Sequence, residues 1–182
     1  MILANVTAST AEIALSASKT QAQSAIFYYN RGIDKYNDDD YYGAIAEFGK
    51  AIEVEPRFGY SFLLRGYSRL RLKDTKSAID DFNMALKIFP NYKFKSYKKE
   101  TAYYYLGLAY GQFNDAKKAI VYFAKAEDGY NKDAEYFYVR GAANYDLGLI
   151  DNACSDWRLS SKFGDSETAN SKVEIYIKKY CQ

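Results

Sequence analysis

The order of apolar, small and polar residues repeats along most of the chain. Gly32 and Gly66 are 34 residues apart, and so are Gly107 and Gly141. Around each glycine the same types return: an aromatic four residues before it, then a small residue, a large aromatic and another small residue after it. These residues are Tyr28, Ala44, Phe48 and Ala51; Phe62, Ala78, Phe82 and Ala85; Tyr103, Ala119, Phe123 and Ala126; and Phe137, Ala153, Trp157 and Ser160. A fixed period of this length predicts a stack of repeated units.

Each unit is predicted to be a hairpin of two antiparallel helices. Small residues at the crossing positions let two helices approach closely, and the aromatic side chains fill the space between one hairpin and the next. Polar runs such as Lys73-Asp74 and Asn114-Asp115 mark the turns, and Pro56 and Pro90 follow the second helix of the first two units. The pattern therefore predicts helices throughout the repeats.

This pattern resembles the tetratricopeptide repeat family, whose unit of 34 residues carries aromatic, Gly, Ala, Phe, Ala and Pro signatures in that order. The resemblance implies an all-α fold, a right-handed α-α superhelix (solenoid) of four helix hairpins with a C-terminal capping helix. The segments are a leader at 1–24, which is a weak helix or disordered, repeats at 25–58, 59–92, 100–133 and 134–167, a basic insertion at 93–99 and the cap at 168–182. The Cys-x-Asp-Trp motif at 154–157 resembles the terminal repeat of bacterial members.

Arginine and acid residues also recur in register. An arginine directly precedes the repeat glycine in three units, and an acid follows sixteen residues later: Arg31 with Glu47, Arg65 with Asp81, and Arg140 with Asp156. In the third unit both members change together, to Leu106 and Tyr122. We interpret the pattern as an ion pair across each of three hairpins, replaced by an apolar contact in the third. The alternative, that the arginines bind an acidic ligand, is less favoured because each already has an acid in register.

Composition argues against catalysis. The 182 residues contain no histidine, which removes the side chain that titrates nearest neutrality and every site that depends on it. No glycine-rich phosphate loop, nucleophile elbow or metal ligand set stands out in the sequence. We therefore predict a protein that is not an enzyme and has neither cofactor nor metal. The net charge of +2 favours neither nucleic acid nor an anionic membrane as a partner of the whole chain.

The cysteines and the N-terminus leave the cellular compartment open. Cys154 and Cys181 come close together if the cap folds back on the last hairpin, so a disulfide and two buried free thiols are both open interpretations. No apolar run is long enough to span a bilayer. The first 24 residues lack the basic start and continuous apolar stretch of a signal peptide, which favours a cytoplasmic location. A truncated signal would instead place the protein in a periplasm or lumen.

The resemblance implies a concave face lined by the first helix of each hairpin, and this face is rich in tyrosine. An amphipathic ring with few rotatable bonds suits the binding of an extended peptide or a helix, although many of the same rings could pack between hairpins. The predicted groove residues are Tyr29, Ile33, Tyr36, Tyr60, Leu63, Tyr67, Tyr104, Tyr105, Leu108, Tyr138 and Tyr145.

Particular residues bear on two classes of partner, heat-shock protein tails and the ligands of a basic segment. Members of the family that clamp the C-terminal carboxylate of heat-shock proteins use Lys and Asn at inner positions, which here hold Tyr29, Ile33, Leu64, Thr101 and Tyr105. That signature is missing, so heat-shock tails are disfavoured. The insertion contains a basic patch, Lys93, Lys95, Lys98 and Lys99, with two interleaved aromatics. It is predicted to be a solvated helix extension, ahead of a site for an acidic protein and well ahead of one for RNA.

The sequence thus predicts a protein-protein interaction module, an adaptor or assembly factor that holds a peptide or helix of a partner in the tyrosine-rich groove. The first alternative is a scaffold protein that associates with itself as a homo-oligomer. Nucleic-acid binding through 93–99 comes last.

Overall fold

The computed structural model describes residues 10–89, 99–164 and 167–182. These residues form nine helices and no strand: α1 (Thr10–Asn37), α2 (Tyr41–Val54), α3 (Gly59–Arg71), α4 (Thr75–Ile88), α5 (Lys99–Gln112), α6 (Ala116–Tyr130), α7 (Ala134–Asp146), α8 (Ile150–Phe163) and α9 (Glu167–Tyr180). The prediction of an all-α solenoid is confirmed.

Consecutive helices pair into hairpins, α1 with α2, α3 with α4, α5 with α6 and α7 with α8, and each hairpin packs on the next. The first helices of neighbouring hairpins also touch, α3 with α5 and α5 with α7. We call the surface formed by α1, α3, α5 and α7 the inner face. Since each unit contacts mainly its neighbours in the chain, the molecule is a linear stack in which a local change stays local.

Helix α1 is twice as long as a repeat helix. It runs for 28 residues without a break between residues 24 and 25, so the predicted leader from Thr10 onward is an N-terminal extension of the first repeat helix. Residues 14–23 of this extension are exposed, and Ala25 is 1% exposed. The amide nitrogen of Gln21 donates to the carbonyl oxygen of Val54, 2.5 Å away, at the end of α2. Residues 1–9 lie outside the described part of the chain.

The repeat glycines are required by close contact with an aromatic ring of the second helix. A Cβ atom built on Gly32 would lie 2.5 Å from Phe48, and one on Gly107 would lie 2.5 Å from Phe123. The corresponding distances are 2.7 Å from Gly66 to Phe82 and 2.6 Å from Gly141 to Trp157. No real Cβ occupies such a position, so the spacing between glycine and aromatic in the sequence records one steric contact repeated four times.

Alanine substitutions at two glycines one turn apart in α5 should have opposite effects on stability. Gly107→Ala should destabilise the protein by about 2 kcal/mol, because the buried ring of Phe123 would have to move. Gly111→Ala should stabilise it by about 0.5–1 kcal/mol, because a Cβ there meets nothing within 4 Å and alanine is the better helix former. Urea denaturation of the two variants beside the wild type measures both effects. Equal stabilities would show that the contact at Gly107 is not tight.

The four hairpin turns share one backbone conformation. Their left-handed residues are Asp39, Lys73, Asn114 and Gly148, with φ of 59°, 64°, 56° and 73°. In the first three turns the next residue is an aspartate whose side chain accepts a hydrogen bond from the backbone of the following helix: Asp40 from Gly43, Asp74 from Ser77 and Asp115 from Lys118. The fourth turn has glycine at the left-handed position and no side-chain cap at Leu149. The capping hydrogen bonds thus satisfy a backbone N–H group at the start of the second helix in three of the four hairpins.

Candidate binding face

Three tyrosines form a ladder across the inner face. The rings of Tyr36 in α1 and Tyr67 in α3 have centroids 5.6 Å apart, and those of Tyr67 and Tyr105 in α5 are stacked at 4.4 Å with an interplanar angle of 10°. All three side chains are half-buried, so each packs on its neighbours and keeps part of its surface in solvent. The ladder joins three hairpins and presents one continuous aromatic strip.

A guanidinium group lies at the α1 end of this ladder. Nη1 of Arg71 donates to the hydroxyl of Tyr36 at 3.4 Å, and the guanidinium carbon lies 4.8 Å from the ring centroid of Tyr41. Burial, followed by the neighbouring phenol of Tyr67, raises the pKa of Tyr36 to about 12, against the opposite effect of Arg71. The phenol therefore stays neutral at physiological pH, and the cluster carries the positive charge of Arg71.

Two predicted groove residues are buried, and the prediction is wrong for them. Leu63 has no exposed surface and belongs to the core between the second and third hairpins. Tyr104 is 7% exposed and stacks on Tyr130 at 4.6 Å, inside the core between the third and fourth hairpins. Both lie on the edge of a first helix that faces a neighbouring hairpin, so the stack covers them.

Tyr29 and Tyr60 pack between the first hairpins. The ring of Tyr29 lies 5.0 Å from Phe58 and 6.5 Å from Tyr60, and Tyr60 lies 5.6 Å from Phe89. Ile33, in the same helix as Tyr29, is half-buried. At this end of the inner face the side chains mainly join one hairpin to the next.

Helix α9 covers the other end of the inner face. Tyr138 contacts Tyr176 with centroids 6.2 Å apart, and Tyr145 contacts Tyr180 at 4.7 Å. Trp157 of α8 also packs against Tyr176, at 5.1 Å. Tyr138 and Tyr145 thus form the surface on which α9 packs. The part of the inner face that stays open consists of α3, α5 and the side of α7 that faces α5.

An apolar cleft opens between α5 and α7, next to the tyrosine ladder. Its volume is about 210 Å³, and it is lined by Gly107, Leu108, Gly111, Ala116, Phe123, Val139, Ala142, Ala143 and Asp146. Small residues create it: Gly111 stands in register with Tyr36 and Leu70 of the earlier hairpins, and Ala142 with Ile33 and Tyr67. Leu108 was among the predicted groove residues, and the in-register loss of large side chains was visible in the sequence.

The predicted ion pairs across the hairpins are confirmed. Arg65 binds Asp81 through two hydrogen bonds of 3.0 and 2.7 Å. Arg140 binds Asp156 with contacts of 3.1, 3.0 and 2.5 Å. The Nε atom of Arg31 lies 3.4 Å from Glu47. Burial acts to lower the pKa of Arg140, but the hydrogen bonds and charge of Asp156 outweigh it and leave this pKa raised.

A second partner for these acids was missed by sequence reasoning. Arg69 donates to Asp81 at 2.6 Å, and the amide of Asn144 donates to Asp156 at 2.9 Å. Both stand three residues after the repeat glycine, where the third unit has Tyr110. There the ring of Tyr110 lies 5.3 Å from Tyr122 with parallel planes, and Leu106 is fully buried, as expected for an apolar replacement.

The remaining candidates are the two cysteines and the basic patch. Cys154 and Cys181 are joined by a disulfide, with their Cα atoms 5.5 Å apart. Lys99 is exposed at the start of α5, while Lys93, Lys95 and Lys98 lie outside the described residues. No helix in the described ranges is long and apolar enough to cross a membrane, and no group of three or more Cys, Asp or Glu there could hold a metal ion.

Comparisons with known proteins agree with this architecture. The tetratricopeptide repeat model matches residues 100–128, within the third hairpin. A stretch of 99 residues is 32% identical to Protein STIP1 homolog of Dictyostelium discoideum, and the match spans 54% of this chain but only 17% of that protein.

Solved structures share the fold at low sequence identity. MamA 41-end from Desulfovibrio magneticus RS-1 has a TM-score of 0.69 at 15% identity, over 87% of this chain and 93% of that one. TTC0263, a thermophilic TPR protein of Thermus thermophilus, has a TM-score of 0.68 at 17% identity, over 84% and 82%. YrrB, described as a TPR protein with an unusual peptide-binding site, has a TM-score of 0.66 at 19% identity, over 90% and 83%. The repeat register, the family match within the third hairpin and the shared fold together show that the chain is similar to tetratricopeptide repeat proteins.

Proposed function

We propose that this protein is a non-enzymatic adaptor or assembly factor whose inner face binds a peptide or helix of a partner protein. The observation that carries the proposal is the tyrosine ladder of Tyr36, Tyr67 and Tyr105, which is half-exposed and continues into the apolar cleft between α5 and α7. A strip of amphipathic rings next to a shaped apolar recess is what a bound segment needs in order to bury side chains and still satisfy its polar groups.

Rigidity of the ladder favours binding. Because the rings already rest on one another across three hairpins, little side-chain freedom is left to lose when a partner covers them. Tyrosine is also enriched among the residues that dominate binding energies. The YrrB structure, which shares the fold, is described as having an unusual peptide-binding site, and this is consistent with a similar use of the fold here.

Substitution of the ladder tests the proposal. Affinity capture with the wild type, followed by titration with the purified partner, gives the reference affinity. The double variant Tyr67→Ala/Tyr105→Ala should bind this partner at least tenfold more weakly, because it removes two ring contacts of more than about 1 kcal/mol each. Tyr42→Ala is the matched control, since Tyr42 is 76% exposed on α2, outside the inner face.

Circular dichroism should show that the double variant keeps the helicity of the wild type. A second variant, Gly111→Leu, fills the cleft without disturbing the ladder, because a Cβ at Gly111 meets nothing within 4 Å. If neither variant weakens binding while both remain folded, the partner binds elsewhere and the proposal is wrong.

Self-association is a second candidate because of side chains at the open end of the first hairpin. Ile26 and Phe27 are 50% and 56% exposed. Phe27 stands in register with Ser61, which is fully buried within the stack. A second copy that covers this end would bury both residues. Light scattering at increasing concentration tests this, and a mass that remains that of the monomer would leave self-association without support.

A further inference from the structure

Arg71 is an exposed cation of the inner face for which the described residues provide no acid partner. It is the last residue of α3, and the contacts of its guanidinium group are the hydroxyl of Tyr36 and the ring of Tyr41. The other arginines of the first helices, Arg31, Arg65, Arg69 and Arg140, all form ion pairs with acids of their own hairpins. Within residues 10–89, 99–164 and 167–182, no ion pair involves Arg71.

The environment of Arg71 suits a carboxylate. The guanidinium group contacts the Tyr36 hydroxyl and the Tyr41 ring, and Arg71 is otherwise exposed to solvent. A planar guanidinium group that is already oriented can bind a carboxylate with two parallel hydrogen bonds, and it loses little entropy in doing so. The nearest acid in the sequence, Asp74, accepts a hydrogen bond from the backbone of Ser77, and Asp39 accepts one from the hydroxyl of Tyr41.

The cleft between α5 and α7 suits an apolar side chain. Its volume of about 210 Å³ exceeds the roughly 150 Å³ of an engineered apolar cavity that takes up benzene, so one large side chain can enter. Leu108, Val139 and Ala142 form its walls, and the exposed Asp146 stands at its rim. This carboxylate repels an acid next to the apolar side chain and favours a basic or neutral residue there.

The spacing of neighbouring helices gives the distance between Arg71 and the cleft. Neighbouring first helices pack roughly 8–10 Å apart, so Arg71 on α3 and the cleft between α5 and α7 are separated by about 12–15 Å. An extended peptide advances about 3.3 Å per residue, and about four residues cover this distance. The stacked rings of Tyr67 and Tyr105 belong to α3 and α5, the helices of these two sites, and would contact the intervening residues.

We therefore propose that the inner face recognises an extended peptide in which an Asp or Glu, bound by Arg71, stands about four residues from a large apolar side chain that enters the cleft. This inference rests on the proposed function of the inner face and adds the chemistry of its partner. The tyrosine ladder supplies contact area that depends little on sequence, while Arg71 and the cleft supply the selectivity.

Selection from a displayed library of random 12-residue peptides tests the inference. Peptides captured by the wild type should be enriched in an acid about four residues from Leu, Ile, Met or Phe. Arg71→Glu should change the preference at the first position from acidic to basic, and Gly111→Leu should abolish the apolar preference. Two controls should keep the wild-type profile: Arg57→Glu, at an exposed arginine between the first two hairpins, and Ala46→Leu, at an exposed alanine of α2.

Titration of one selected peptide provides a second measurement. Replacing its acid by the corresponding amide should weaken binding to the wild type about tenfold and leave binding to Arg71→Gln unchanged, since the interaction is already absent there. Thermal unfolding of each variant verifies that the fold is retained, and Arg71→Lys serves as the milder change if Arg71→Glu is unstable.

The outcomes separate the two levels of the proposal. Selected peptides that lack the acid, or an acidic preference that survives in Arg71→Glu, would overturn the inference. The proposed function would still stand if those peptides lost affinity for Tyr67→Ala/Tyr105→Ala. If no selected peptide depended on the ladder or the cleft, the inference and the proposed function would both be wrong.

Discussion

Replacing Asp81 by Ala should lower the free energy of unfolding by about 3 kcal/mol, at the lower end of the range for breaking a buried ion pair. Asp81 is 3% exposed and accepts hydrogen bonds from both Arg65 and Arg69. Removing it leaves two cations facing each other without their acid. The arginine side chains are 19% and 24% exposed, so water compensates part of the loss. Urea denaturation measures the change.

The chain supplies both controls for this experiment. Asp80→Ala changes an exposed neighbour of the same charge and should alter stability by less than about 0.5 kcal/mol. The triple variant Arg65→Leu/Arg69→Tyr/Asp81→Tyr transplants the set that the third hairpin uses, namely Leu106, Tyr110 and Tyr122, and should stay within about 1 kcal/mol of the wild type. Equal effects of Asp80→Ala and Asp81→Ala would show that the ion pair network contributes nothing.

Loss of the disulfide should destabilise the C-terminal end of the stack by about 3.5 kcal/mol, the chain-entropy value for closing a loop of this length. The bond joins Cys154 in α8 to Cys181 directly after α9, 27 residues later. Without it, α9 is held by the contacts of Val173, Tyr176 and Tyr180 with the last hairpin. Hydrogen exchange in α9 should therefore speed up on reduction, while α3 to α5 remain protected because the stack transmits changes mainly between neighbours.

The matched control is Cys154→Ala/Cys181→Ala, which should exchange rapidly in α9 and be insensitive to dithiothreitol. Thiol titration of the denatured, unreduced wild type should find no free thiol. Two free thiols would mean that the two cysteines pack as small apolar side chains without a bond. Unchanged exchange after reduction would mean that the bond does not stabilise α9.

Sequence periodicity predicted the elements and their internal contacts well. The spacing from Gly107 to Phe123 is a steric contact within one hairpin, and the spacing from Arg65 to Asp81 is an ion pair within another. Such contacts join residues at the same separation in every repeat, so the residue types recur at fixed intervals that can be recognised in the sequence. The same register did not separate Tyr104, which is buried, from Tyr105, which is half-exposed.

The sequence by itself determined the helical hairpins, their order and the pairing of charges across them, because these depend on contacts within one unit. Only the tertiary structure decided which part of the inner face is open. Exposure depends on how neighbouring hairpins and α9 cover each side chain, and this depends on several units at once. In the folded stack Leu63 is buried and α9 packs over Tyr145, whereas Arg71 lies exposed beside the tyrosine ladder. The candidate binding face is therefore smaller than the row of tyrosines in the sequence, and chemically more specific.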